Sequence, residues 1–463
     1  MRDDTHFDLA IIGGGVVGCA IARQLTLDGA RVILLEKGHD ILSGASKANS
    51  AILHTGYDAP QDSLELSCIQ AGYAEYMEIH KRLNLPLLKT GAFVVAWNSQ
   101  EQSRLDGIVA QAHRNGVTDV TLLTDEALRA AVPGLSDTAV AGVQVPGEHV
   151  IDPWSAPLAY LLQAMANGAQ VRLGAEVTDG ILHNGTWTLD TSRGAVRARC
   201  VINAAGLFGD IVEARLLDRH DFEIRPTKGQ FVVLDKAARR HLSSIILPVP
   251  SAETKGIVLC PTIFGNVLVG PTAEPQTDRT RATVEGDTLL NLRERAAQIM
   301  PVMAEMPVTA CYAGLRPATE QKAYRIKLHG DRNWISVGGI RSTGLSAALG
   351  IARHVAGLHA EMGDRLVPIP DPVWPQVPNL AEHRPRDWQN PGHGKMLCHC
   401  ELVTQREVEA ALVGPLPAGT LGGLKRRTRA TMGRCQGFYC TGKLAALLQG
   451  HLQEPMDKGM VKR

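Results

Sequence analysis

Two sets of residues stand out for what their side chains and spacing can do. The first is Gly13-x-Gly15-x-x-Gly18, followed by Glu36. Glycines at this spacing permit a tight turn after a strand, let the backbone approach a pyrophosphate, and let the next helix pack closely with its N-terminus facing the anion. An acid about 20 residues on hydrogen-bonds ribose hydroxyls and repels a 2′-phosphate, which disfavours NADP. The second set is Cys398-x-Cys400, then 34 residues, then Cys435-x-x-x-x-Cys440. Four thiolates in two close pairs suit zinc or an iron–sulfur cluster, and ligand type alone does not separate the two. Structural zinc modules commonly use C-x-x-C, and neither pair has that spacing. Cys19, Cys68, Cys200, Cys260 and Cys311 are scattered singly and read as small buried apolar residues.

The elements that must position these residues follow from the apolar runs. Residues 8–12 and 31–36 read as buried strands around a glycine turn at 13–18 and a helix at 19–28, a βαβ unit that implies a parallel sheet. Helical segments at 62–83, 101–115 and 157–167 alternate with strand-like 91–97 and 169–173, and the strand 199–203 stops at Ala204-Ala205-Gly206. From about Ile224 to Ala318 the runs become short and β-rich (230–234, 256–260, 266–269), which predicts an inserted antiparallel sheet. Residues 334–337 return to strand character, and Leu345 to Met362 read as a helix. Seven prolines between Leu366 and Met396 exclude continuous helix and favour an extended linker. The expected fold class is α/β. A Rossmann-type domain over 1–365 (segments about 1–80, 150–215 and 330–365) holds an antiparallel-sheet substrate domain (about 81–149 and 216–329), followed by a linker at 366–396 and a cysteine-cluster domain at 397–463.

Composition narrows the function classes. The 463 residues carry 48 Lys plus Arg against 47 Asp plus Glu, so no whole-protein field attracts nucleic acid or an anionic membrane. The only clear basic run, Lys425, Arg426, Arg427 and Arg429, has no interleaved aromatics; it reads as offsetting cluster charge or docking an acidic partner, not as binding nucleic acid. The N-terminal apolar run breaks on glycines too early for a signal peptide, and no stretch reaches the roughly 18 apolar residues of a spanning helix. With an odd cysteine count, this points to a cytoplasmic protein without an integral membrane segment, peripheral at the inner membrane only through a partner.

FAD and NAD share the glycine fingerprint. Two further sheet-end glycine turns, at Asn203 to Gly206 and at Gly338 to Leu345, aim at the same ligand, and a cofactor touching three distant segments is better matched by FAD. The GGGVVG and LLEKG segments, SGASKANSAILHTGYD (43–58), VINAAGLFGD (201–210), RPTKGQF (225–231), GNVLVGPTAE (265–274), AGLRPAT (313–319) and GGIRSTGLSAALGIA (338–352) together resemble the D-amino-acid oxidase-type flavoproteins. Within them the glycerol-3-phosphate dehydrogenase and L-2-hydroxyglutarate oxidase branch is the most similar. The resemblance implies FAD contacts from Ser46, Asn49, Ser50, Ala205, Gly206, Gly339, Arg341, Ser342, Thr343, Gly344 and Leu345, an adenine-side contact from Val177, and ribose contacts from Glu36 and Lys37. The C-terminal segments 398–412 and 424–440 resemble the bacterioferritin-associated-ferredoxin-type domain, which implies a 2Fe-2S cluster on Cys398, Cys400, Cys435 and Cys440.

Hydride removal from a C–OH or C–NH bond needs a positioned substrate and a base for the remaining proton. The family's substrates are generally anionic, and Arg316 matches its substrate-side arginine, whose fork holds a carboxylate or phosphate. His54 is the best candidate for the base, since imidazole titrates near neutral pH; His149 is a weaker one, and Lys228 either adds charge to the pocket or faces solvent. The expected function is an FAD-dependent dehydrogenase for glycerol 3-phosphate or a 2-hydroxy acid such as 2-hydroxyglutarate, passing electrons through 2Fe-2S to a partner protein or quinone. The alternatives are a catalytically silent electron-transfer flavoprotein and the flavin-bearing chain of an opine- or proline-type amine dehydrogenase.

Overall fold

The computed structural model describes residues 6–250, 256–363 and 365–456. Residues 1–5 and 457–463, counted above in the first and last expected domains, lie outside the described residues.

The first sheet has eight strands. Its parallel core runs Gln170–Leu173, Val32–Glu36, His6–Ile12, Val196–Asn203, Trp334–Gly338. The central strands are buried on both faces, as apolar runs without alternation require. Two antiparallel additions complete it. The hairpin Val177–His183 and Thr186–Thr191 pairs with the first half of Val196–Asn203, and Arg325–His329 pairs with Trp334–Gly338. The inserted segment therefore returns to this sheet before residue 325.

The first helix is Val16–Leu27, three residues earlier than the sequence reading placed it, with Gly15 as N-cap. Gly18 thus lies inside the helix and not in the turn. The reason is steric: a Cβ on Gly18 would lie 2.0 Å from the Gly13 carbonyl oxygen, so the glycine lets helix and turn close on each other. Helices Leu64–Ile79, Ser155–Ala166 and Gly344–Ala360 pack with it into one apolar core that includes Cys19, Cys68 and Cys200. The segment expected as one helix at 101–115 is two, Ser99–Gln102 and Leu105–Arg114.

The second sheet has nine strands. It is antiparallel except at one seam, where Ile245–Pro248 runs parallel to Ala92–Ala96. That seam corrects the purely antiparallel expectation: it joins strands contributed by two separate stretches of the insertion. Strand Val308–Arg316 pairs along Thr227–Leu234 at one edge. A small three-stranded sheet of Ile52–Leu53, Leu87–Leu88 and His149–Ile151 lies beside this sheet's core.

The proline-rich stretch is extended, yet it is strapped to the body. Ile369 N–H donates to the Leu27 carbonyl, Val377 N–H to that of Leu83, and Glu382 N–H to that of Ile263, while Val377, Leu380 and Ala381 are buried. Beyond it, strands Met396–Cys398 and Val403–Thr404 and helices Gln405–Ala411, Leu421–Thr428 and Thr441–Leu448 enclose their own core of Leu397, Val403, Val408, Leu424 and Leu444. Thr404 and Glu407 form a capping box that starts the first of these helices.

Candidate active site and cysteine centre

The glycine turn forms a cradle open to a pyrophosphate. Gly13 has φ of +111°, and a Cβ there would meet the Ala204 carbonyl oxygen at 2.5 Å, so this turn and the one at Ala204-Ala205-Gly206 abut. Gly206 is also left-handed, at φ +55°. Glu36 is buried at the end of its strand, accepting from Gly14 N–H at 2.6 Å and Gly38 N–H at 2.7 Å. Burial pushes its carboxyl above the usual range despite those donors. Lys37 points away from it, its ammonium 3.1 Å from the Phe208 ring centroid. Val177 is buried, and its carbonyl accepts from Arg215.

The segment 46–54 runs from this cradle towards the second sheet and is gripped from three sides. Ser46 Oγ accepts from Val16 N–H at 3.1 Å, which ties the segment to the helix N-terminus. Asn49 is held within the segment, its amide donating to the Ser46 carbonyl and accepting from Ala51 N–H, while its own carbonyl accepts from the Tyr312 hydroxyl at 2.9 Å. The Ser50 carbonyl faces the Cys260 thiol. From the third side, Ser346 Oγ accepts from His54 N–H at 2.8 Å and donates to the Ile52 carbonyl. Within the turn at 339–345, Gly339 is left-handed at φ +71°, Arg341 donates to the Lys322 carbonyl, and Thr343 donates to Glu65 and meets Tyr324. Gly344 begins the helix, Leu345 is half-buried and Ser342 is exposed. The glycine turn abuts the turn at 204–206 and is tied to segment 46–54, which the helix after the 339–345 turn holds in its place; Lys37 lies over Phe208 beside the 204–206 turn, and Arg341 is engaged by the Lys322 carbonyl.

His54 has a partner that sequence reasoning missed. Ile52 and Leu53 pair antiparallel with Val150 and His149, which places His54 opposite Glu148. The His54 Nδ1 to Glu148 Oε2 distance is 2.7 Å, and Glu148 is fully buried. Its other oxygen accepts from Thr55 N–H at 2.7 Å and Thr55 Oγ1 at 2.9 Å. A buried carboxylate on Nδ1 fixes the tautomer that leaves Nε2 as the acceptor. His149 instead holds the Glu148 carbonyl with Nδ1, and burial pushes its imidazole below the usual range. No local signal marks Glu148; only the strand pairing joins it to His54.

Arg316 ends the strand Val308–Arg316, two and four residues beyond Gly314 and Tyr312 and so on the same face. Its guanidinium donates to the Thr272 carbonyl at 3.2 and 3.3 Å and lies over Gly229, where a Cβ would come within 2.7 Å of Nη2. Among the described residues no carboxylate pairs with it, so its charge is not neutralised by an ion pair although both Nη atoms also donate to Thr272. Burial lowers its pKa from the ordinary arginine value. Lys228 differs: it is buried and engaged by Glu274 at 2.9 Å and Glu285 at 2.5 Å, so it neither charges a pocket nor faces solvent.

The four C-terminal thiols come together, Cys400 beside Cys435 and Cys398 beside Cys440, close enough that each pair also feels the charge of the other. Among the described residues, no three of these sulfurs lie within 4.8 Å of one another. Four thiolates around a single tetrahedral zinc at about 2.3 Å would all crowd within about 4 Å. Thiols grouped two and two would suit a two-iron centre. Backbone N–H groups of Tyr439, Gly437 and Phe438 hold the Cys435 thiol below its ordinary value, the donor pattern a charged sulfur centre needs; burial pushes Cys440 up to about 11 and raises Cys400.

The basic run is turned inwards. Arg427 pairs with the fully buried Asp40 at 2.8 Å, Arg426 donates to the Ile41 carbonyl, and Arg429 pairs with Glu401 and covers the Phe264 ring at 4.0 Å. Burial holds Arg426 down to about 10. The run therefore docks the cysteine module on the loop that follows Glu36 and is not itself a surface for an acidic partner.

Residues 8–358 match the family described as FAD dependent oxidoreductase, and residues 396–450 match the BFD-like 2Fe-2S binding domain. A glycerol 3-phosphate dehydrogenase from Caloramator mitchellensis is 32% identical over 464 residues, covering 98% of this chain and 96% of its own. One subunit of the anaerobic glycerol-3-phosphate dehydrogenase of Escherichia coli (strain K12) is 27% identical over 505 residues, covering 97% and 89%. Among solved structures, dithionite-reduced L-alpha-glycerophosphate oxidase from Mycoplasma pneumoniae with FAD bound superposes with a TM-score of 0.74 at 29% identity, covering 80% of this chain and 97% of that one. No helix of the described residues is long and apolar enough to cross a membrane. A match spanning most of its length places the chain in the FAD-dependent oxidoreductase family, here joined to a C-terminal 2Fe-2S domain of the BFD-like type.

Proposed function

We propose that this chain oxidises the C–OH group of a small anionic hydroxy substrate, glycerol 3-phosphate or a 2-hydroxy acid such as 2-hydroxyglutarate, and delivers the electrons to a partner protein or quinone. The observation that carries the reading is the His54–Glu148 pair at the end of segment 46–54. When bound, FAD supplies the hydride acceptor and the 2Fe-2S cluster a one-electron carrier. With Glu148 holding Nδ1–H, His54 Nε2 takes the hydroxyl proton as the carbinol hydride leaves, and the buried carboxylate stabilises the imidazolium that forms. Arg316 anchors the phosphate or carboxylate, which fixes the carbinol carbon relative to that base. The names of these three relatives, all glycerol-phosphate enzymes, support a hydroxy substrate over an amine, and an Arg316 with no carboxylate partner among the described residues supports an anionic group on it. The relative that is one subunit of a larger enzyme supports a partner, through which the chain would meet the membrane.

The test is anaerobic mixing of FAD-loaded protein with glycerol 3-phosphate, 2-hydroxyglutarate and a set of amino acids. Bleaching of the flavin by a hydroxy substrate is expected, slowed roughly 10²–10⁴-fold in His54→Asn. Bleaching by amino acids alone, or by nothing, would overturn the reading.

A further inference from the structure

We propose that Phe438 and Tyr439 form the centre of the docking surface for the electron acceptor, and that this acceptor is a protein presenting an apolar patch ringed by carboxylates. The inference rests on the proposed function in one respect, that electrons leave through the cysteine centre.

Phe438 and Tyr439 lie between the ligands Cys435 and Cys440 and are 82% and 74% exposed. They are the only aromatics among the large apolar side chains left exposed in the described residues. Lack of anchoring does not explain this. Just upstream, Gln436 and Arg434 fasten the same loop to the body, through the Thr309 carbonyl and Asp235, and Cys440 on the other side is buried. The two rings brace each other edge to face, with centroids 5.2 Å apart. A fixed aromatic pair held in water beside a redox centre has the composition of an interface core, where Phe and Tyr are enriched and charges depleted.

Charge identifies the occupant. Residues 410–453 contain six Lys or Arg and no Asp or Glu. Arg426, Arg427 and Arg429 are used internally, as described. Lys443, exposed on the helix Thr441–Leu448 that begins at Cys440, makes no ion pair among the described residues, and Arg434 stays 71% exposed beside Asp235. An apolar centre flanked by Lys443, and by an Arg434 guanidinium that stays largely exposed while paired with Asp235, favours a partner with an acidic rim. A membrane is disfavoured, because the aromatics project from a tight loop and not from the apolar face of an amphipathic helix.

Each docking event moves one electron. A cluster held by these cysteines would give up one electron to a one-electron acceptor at this surface, so the two electrons from one substrate molecule would reduce two acceptors. The probes are a small acidic cytochrome and a small basic one. Binding is read with zinc-porphyrin forms that accept no electrons, and transfer is read with the ferric forms. The acidic cytochrome is expected to bind more tightly than the basic one and to weaken as salt rises. Its binding should fall about tenfold in Phe438→Ala/Tyr439→Ala and in Lys443→Glu, with flavin bleaching by substrate unchanged. If the double variant loses cluster absorbance, Lys443→Glu on its exposed helix position decides. Equal binding of the basic cytochrome, or unchanged binding in Lys443→Glu, overturns the proposal. So does binding of anionic phospholipid vesicles that the aromatic variant abolishes while neither cytochrome binds. Failure of substrate to reduce the cluster in the wild-type holoenzyme would instead sink the electron-exit reading.

Discussion

In the proposed reaction Glu148 acts through its neighbour, since its carboxylate is fully buried behind His54. All of its polar contacts serve one end: two donors from Thr55 fix one oxygen, and the other is left for His54 Nδ1. Replacing it by Gln keeps the shape but removes the charge that stabilises imidazolium. Glu148→Gln is expected to lower kcat about 10- to 100-fold with KM within about twofold, because the substrate anchor is elsewhere; steady-state kinetics with saturating acceptor check this. Arg316→Met should show the reverse pattern. Losing a bidentate charged contact costs about 2–3 kcal/mol, so KM should rise roughly 30- to 150-fold while the purified protein keeps its FAD. A KM that stays put would remove Arg316 from the substrate. Of these residues, Arg316 and His54 are proposed from sequence because each sits in a segment whose type and order resemble a known flavoprotein pattern. Glu148 is not, since 94 residues separate it from His54 and only strand pairing brings them together.

At the scale of elements, the βαβ unit was readable because its strands are unbroken apolar runs and its turn is glycine. The helix start was not, because Gly18 resembles a turn residue until its contact with Gly13 is seen. The parallel seam at Ile245–Pro248 was equally hidden, since strand direction depends on chain crossings that alternation does not encode. Helix Gly209–Leu217 carries a pH-dependent tie between the two sheets. Asp210 in its first turn accepts from Ile224 N–H and pairs with Arg279. Burial by itself would raise its carboxyl, yet the bonds from Arg279 and the backbone prevail and hold it below the usual range. A carboxylate whose folded pKa is depressed adds stability above its unfolded value, and that contribution is lost as pH falls through the folded value. The melting temperature should therefore fall below about pH 4 less steeply in Asp210→Asn than in the wild type, with the variant less stable at neutral pH. Parallel curves would show that Asp210 is not linked to folding.

For the whole molecule, the spacing of four cysteines marked the 2Fe-2S module, but nothing in the sequence showed how it sits on the body. The basic run looked like a surface because its partners, Asp40 and Glu401, lie far away or look solvated in a linear reading. In the structure Asp40 is fully buried, accepting from Gly419 N–H and pairing with Arg427, and a Cβ on Gly423 would fall within 1.5 Å of its carboxylate. The loop that carries Asp40 continues from Glu36 and leads to Ser46, so the same short stretch touches the nucleotide cradle and the module. Module docking and cofactor position thereby meet at this ion pair, the buried one among the ties that Arg426, Arg434 and Gln436 also make to the body. Breaking a buried pair on one side leaves an uncompensated charge and costs about 3–5 kcal/mol, whereas removing both charges is close to neutral. Arg427→Met should accordingly loosen the module on the body, whose ties from Arg426, Arg434 and Gln436 remain: the melting temperature should fall, and reduction of the cluster by the substrate-reduced flavin should slow at least tenfold. The cluster should remain, because its ligands and core lie within the module, and flavin bleaching should remain, because His54, Glu148 and Arg316 lie in the body. Asp40→Asn combined with Arg427→Met should then recover most of the lost stability and much of the transfer rate. If the double variant were no better than the single one, the ion pair would not be what holds the two redox centres in register.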